Sequence, residues 1–109
     1  MTLTIDRRKW LRGEDFNSAL LRSDDKKMCC LGFFCLSRDI RKIADVSEPV
    51  DLSYQQRQRI PELFDNQHQN HVCEKLMVNN DSPELSEKVR ETRITKWFKK
   101  IGVNVKFIN

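Results

Sequence analysis

The chain has 109 residues, 33% of them charged, with 20 Lys or Arg against 16 Asp or Glu and a net charge of +4. That length fits a single domain over residues 1–109, since one core usually takes about 100 to 200 residues. A chain of this size buries roughly two-thirds of its unfolded surface and can fold without disulfides or metal. Two Trp and six Phe argue against extended disorder. The longest apolar stretch, residues 28–36, falls far short of the roughly 18 residues that span a bilayer. Residues 1–12 are charged where a secretory leader would be apolar. The expected setting is therefore the cytoplasm, where the four cysteines, Cys29, Cys30, Cys35 and Cys73, stay reduced.

In chain order, residues 5–11 read as a short helix, capped by Thr4 and ended by Gly13. Residues 18–22 read as a strand, and residues 23–27 as a polar turn. From Cys29 the periodicity is helical: Cys29, Phe33, Leu36, Ile40, Ile43 and Ala44 recur at steps of three and four. Met28, Cys30, Leu31, Phe34 and Cys35 widen that stripe, so the first turns should be buried all round. Pro49 marks a loop over 46–52. Ser53 and Gln56 form a capping box for a short helix that stops near Ile60, ahead of Pro61.

Residues 62–70 then read as a polar loop anchored by Leu63 and Phe64. Val72, Cys73, Leu76 and Met77 predict a helix over 71–78, followed by a turn over 79–81. Ser82 and Pro83 read as the start of a last helix that runs from about 84 to 101 and ends at Gly102. Leu85 and Val89 point away from the face shared by Ile94, Trp97, Phe98 and Ile101, which predicts a break near 91–93. Val103, Val105 and Phe107 alternate with polar residues as a strand does. The expected fold is α+β and mainly helical, with a small antiparallel sheet pairing residues 18–22 with 103–108.

No catalytic pattern can be written. Glycine occurs only at 13, 32 and 102, which leaves no phosphate-cradling loop. Cys29 and Cys30 follow Lys26 and Lys27 at a helix start, a setting that can lower a thiol pKa, yet the apolar flanks favour burial. A zinc site from Cys29, Cys30, Cys35, Cys73, His68 and His71 would use suitable ligands. The spacing opposes it, because adjacent cysteines on a helix diverge by about 100°. The expectation is a non-enzyme without metal or other cofactor, its thiols packed in the core.

The remaining feature is charge. Residues 82–109 hold seven Lys or Arg against three Glu, and Arg93, Lys96, Lys99 and Lys100 lie opposite the apolar face of the last helix. That stripe can be a solvated face, a contact for phosphates, or a contact for an acidic protein surface. Arg38, Arg41 and Lys42 form a second basic group.

The segment Lys27-Met28-Cys29-Cys30-Leu31-Gly32-Phe33 resembles a signature of small phage and prophage proteins. Similar stretches continue at Cys73-Glu74-Lys75-Leu76-Met77, Asn80-Asp81, Arg90-Glu91 and Gly102-Val103-Asn104-Val105-Lys106-Phe107. The resemblance covers about half the chain. It implies an accessory protein made during infection, acting in the host cytoplasm on a host protein, for example a nuclease or a CRISPR-type defence component. It carries no assigned activity and no functional residues. The expected function is thus binding and inhibition of a host protein. The alternatives are a nucleic-acid-binding module using the basic last helix and a small zinc protein. No membrane is expected among the partners.

Overall fold

A computed structural model describes residues 1–64 and 71–109. Its first element is a strand, β1 (Thr2–Asp6), in which Leu3 and Ile5 are buried while Thr2 and Thr4 are exposed. The expected helix over 5–11 is absent. Thr-Leu-Thr-Ile carries a period of two with β-branched residues, and that pattern prevails over the helix-capping potential of Thr4. The chain turns after Asp6 and then runs beside Met28, whose carbonyl accepts from Leu11 N at 2.7 Å.

Among the described residues the four α-helices are α1 (Cys30–Ser37), α2 (Tyr54–Arg57), α3 (Val72–Asp81) and α4 (Glu87–Lys99), followed by the strand β2 (Asn104–Ile108). The fold is α+β, with one two-stranded sheet among the described residues. The sheet corrects the expected topology in two ways. β2 pairs with β1 and not with residues 18–22, and the pairing is parallel, from Thr2 opposite Asn104 to Asp6 opposite Ile108. A parallel pair requires a crossover connection, and the helices between the two strands provide it.

Residues 18–22 form no strand: the chain bends at Leu20, and Leu21 makes one isolated parallel bridge with Ala44. Ala19 O accepts from Cys29 N, Leu20 N donates to Val46 O, and Leu21 O accepts from Asp45 N. Their polar backbone is satisfied between the start of α1 and the loop at 45–46. Gly32 makes this fit possible. A Cβ there would collide with the Leu20 carbonyl oxygen, so only glycine lets α1 lie against that backbone.

α1 is half the length its stripe predicts. The chain reverses at Asp39, which takes a left-handed φ of 60°. Ile40 and Ile43 still reach the core, but from the loop that follows. α2 has the expected capping box, with Gln56 N donating to Ser53 Oγ and Ser53 N to Gln56 Oε1, both at 3.2 Å. α4 begins four residues after the expected Ser82, at the N-cap Ser86, whose Oγ accepts from Val89 N. Leu85 therefore lies outside the helix and its angular mismatch disappears. α4 is unbroken, and Arg90, Ile94 and Phe98 form its buried row. Gly102 ends it at a φ of 79°, as the sequence predicts.

The expected turn over 79–81 is instead the last turn of α3, and its asparagine is central. Asn80 is fully buried. Its Oδ1 accepts from Trp10 Nε1 at 2.8 Å and from Cys30 N at 2.9 Å, and its Nδ2 donates to Leu11 O at 2.9 Å. One amide thus ties α3 to α1 and to the loop after β1. Beside it, Arg90 Nη1 donates to Asn79 O at 2.8 Å and Asn80 O at 2.9 Å, and Nη2 donates to Leu85 O at 3.1 Å. The first two satisfy carbonyls that the end of α3 leaves open. Apolar packing around this knot includes Trp10 against Phe107 and Phe34 against Phe98, with ring centroids 5.2 and 5.6 Å apart.

Candidate functional site

Cys29, Cys30 and Cys35 are buried, and Cys73 is half-buried. Burial pushes Cys29 and Cys35 up to about 12 and Cys73 up to about 11, and holds Cys30 well above the ordinary thiol value. The start of α1 does not activate them, since loss of solvent outweighs nearby N–H groups. Cys30 Sγ faces Leu76 O at 3.8 Å. Among the described residues no group of three or more His, Cys, Asp and Glu comes together to hold a metal ion. His71 is exposed near Glu74, and His68 lies outside the described residues.

The cations of α4 are sorted by side. Glu87 takes Arg12 in a two-point pair at 2.8 and 3.0 Å, and Glu91 takes Arg7 at 2.8 Å through both oxygens. Both acids of the helix are thereby drawn toward β1 and the loop after it. The outer side holds Lys88, Arg93, Lys96, Lys99 and Lys100, all exposed. Among the described residues none of these five has a carboxylate within 4.0 Å. At about 100° and 1.5 Å per residue they cover about 140° of arc over roughly 18 Å. Lys96 and Lys100 flank the Trp97 ring at 5.6 and 5.2 Å. Arg93 has one long contact, to Asn79 Oδ1 at 3.4 Å.

Helix stability accounts for part of this stripe, because Lys96, Lys99 and Lys100 complement the negative end of the dipole. It does not account for Lys88, which sits in the first turn against the dipole. Sequence reasoning missed Lys88 because it started the helix too early and then broke it. Val89 lies within the same arc and is 39% exposed.

The second basic group is arranged differently. Arg38 is held by Glu62 in a two-point pair at 3.0 and 2.9 Å, donates to Arg59 O, and stacks over Phe34 at 4.8 Å. It works as a cross-tie between the end of α1 and the segment after α2. Arg41 pairs with Asp39 at 2.8 Å in full exposure, and Lys42 is exposed. These three lie on the loop after α1 and not on a helix.

A further surface had no signal in the sequence. Phe16 is 96% exposed on the short turn Asp15–Asn17, and with Met77 and Val78 it lines a shallow groove rimmed by Asp15 and Asp81. Among the described residues no helix is long and apolar enough to cross a membrane. No protein-family model, curated protein or solved structure matches this chain.

Proposed function

We propose that the chain is a small non-catalytic binding protein that docks the outer side of α4 on an acidic surface of a host protein in the cytoplasm. One observation carries this reading. The acids of α4 are engaged inward by Arg7 and Arg12, while Lys88, Arg93, Lys96, Lys99 and Lys100 point outward without a carboxylate partner among the described residues. An exposed cationic stripe speeds encounter and fixes register on a complementary surface. Val89 adds an apolar contact in its midst. The buried thiols support a role without nucleophilic chemistry. The accessory-protein origin follows the resemblance of Cys29-Cys30-Leu31-Gly32-Phe33 to phage proteins, and inhibition of the docked protein is the action that origin suggests.

The test compares the wild type with a variant carrying Lys88→Glu, Lys96→Glu and Lys99→Glu, after circular dichroism has shown equal helix content. A host protein captured at one-to-one stoichiometry by the wild type should be lost by the variant. Equal capture by both would reject the α4 face as the docking surface.

Nucleic acid is the second reading, favoured by the same five cations. Five phosphate contacts would give a logarithmic salt slope of about −4.5, hence a roughly 500-fold loss of affinity between about 50 and 200 mM salt. Fluorescence anisotropy with duplex DNA and RNA decides it. Tight binding with that slope would replace the protein partner.

A further inference from the structure

A cleft of about 350 Å³ opens where the loop after β1, the turn at 23–27 and the segment leading into α4 converge. That volume is within the range of small-molecule sites, about 300 to 1,000 Å³. Its charged lining is Arg12, Glu14, Arg22, Lys27, Glu87 and Arg90.

The charges do not cancel. Arg12 is matched by Glu87, and Arg22 by Glu14 and Asp25. Lys27 and Arg90 have no carboxylate within 4.0 Å among the described residues. Lys27 is exposed, whereas Arg90 is only 4% exposed. A guanidinium carries five N–H donors, and Arg90 directs three of them at backbone carbonyls. Its Nε–H and one Nη2 hydrogen meet no protein acceptor among the described residues. No fully buried side-chain nitrogen there lacks a partner, so Nε keeps some contact with solvent, and Arg90 lines this cleft.

A cation that is buried, bonded only to neutral carbonyls and left with free donors is held at a desolvation cost that an anion in the cleft would offset. Gly13 preserves the space: a Cβ there would stand 3.1 Å from Arg90 Nη2. The capping of α3 explains two donors of Arg90, and the bond to Leu85 O a third. They explain neither the remaining two nor the unmatched Lys27 that lines the same cleft.

We propose that this cleft binds the phosphate group of a small phosphomonoester, with Arg90 and Lys27 as its two cationic contacts. The charge selects the class. A phosphomonoester carries about −1.5 to −2 at neutral pH and three strong acceptor oxygens, enough to engage Lys27 and Arg90 together, whereas a carboxylate has only two oxygens to share between them. The cleft is larger than a phosphate alone requires, and Pro83 and Leu85 on its wall offer apolar contact to the esterified group.

The probes are inorganic phosphate and phenyl phosphate, titrated at constant ionic strength against acetate. Proton–nitrogen NMR follows the amides of Gly13 and Lys27 and the Arg90 Nε–H. Saturable shifts at these three positions, tighter for phenyl phosphate than for phosphate and weakest for acetate, are the expected result. Lys27→Ala should weaken phosphate about tenfold, the loss of one charge-assisted contact, with the thermal midpoint unchanged. Arg90→Lys tests the second contact, and Lys27→Ala decides the matter should Arg90→Lys fail to fold. Shifts that stay linear in phosphate, acetate binding as tightly as phosphate, or unchanged affinity in Lys27→Ala would each overturn the proposal.

Discussion

The inner and outer sides of α4 both carry charge, but they use it differently. Inward, Arg7 and Arg12 reach Glu91 and Glu87 with two-point geometry, and Arg90 closes the end of α3. Outward, the cations are mostly lysines that no described carboxylate approaches. The division extends beyond the helix. Among the described residues, eight of the nine ion pairs are made by arginine, the ninth by His71, and none by lysine. The planar fork of arginine suits cross-ties between segments, while the ammonium of lysine stays hydrated. Arginine here makes the ion pairs that join segments, and lysine makes up most of the outer face of α4.

Four measurements break or sharpen that contrast between a fixed interior and a free exterior. The largest effect should come from alkali. The thiols of Cys29 and Cys35 ionise near 9 when unfolded and are pushed up to about 12 when folded, and burial holds Cys30 well above its ordinary value too. A raised folded pKa leaves stability intact below about pH 9 and erodes it as pH climbs toward 12. Cys29 and Cys35 each remove roughly 2 kcal/mol between about pH 9 and 11, and Cys30 adds to the loss. Together they approach the whole stability of a small domain. Urea titrations at stepped pH should show this decline, and Cys35→Ala should make it shallower; an identical slope in that variant would contradict thiol control.

Next, Asn80→Leu leaves Trp10 Nε1–H, Cys30 N–H and Leu11 O without their partner. Unsatisfied buried groups cost about 1 to 3 kcal/mol each, so a loss of about 4 kcal/mol in urea unfolding is expected. A loss below about 1 kcal/mol would mean the knot is not central. Gly32→Ala forces α1 off the Leu20 carbonyl and should cost about 2 kcal/mol, the usual scale of overpacking. Smallest of all, Lys96→Ala and Lys99→Ala should shift stability by no more than about 0.5 kcal/mol. A larger loss would place those side chains in the fold and not at a docking surface.

The legible parts of this fold were the local ones. The alternation of 103–108, the capping box at Ser53 and Gln56, the stop at Gly102 and the outward set Arg93, Lys96, Lys99 and Lys100 all follow from neighbours within a few residues. What failed depended on partners far along the chain. Residues 18–22 look like a strand because Ala19 and Leu20 are buried, but their hydrogen bonds go to loops. Ile40 and Ile43 continue the stripe of α1 by filling the same core from a reversed chain. Asn79-Asn80-Asp81 has the composition of a turn, and nothing nearby reveals that an indole seventy positions earlier donates to Asn80. Arg38 carried the same sequence signal as the exposed cations, yet its charge is matched by Glu62, 24 positions away. The cleft escaped notice for the same reason, since its walls come from three separate stretches.

The side-by-side pairing of β1 with β2 has a kinetic consequence. Its five residue pairs, from Thr2 with Asn104 to Asp6 with Ile108, each close a ring of about a hundred residues. Such distant contacts bear the full entropy of closure before any of it is returned, so the ladder should zip after the helices have gathered. Until then Leu3 and Ile5 remain on an open edge able to recruit another chain. During synthesis on the ribosome, that exposure lasts until residue 108 has cleared the exit tunnel.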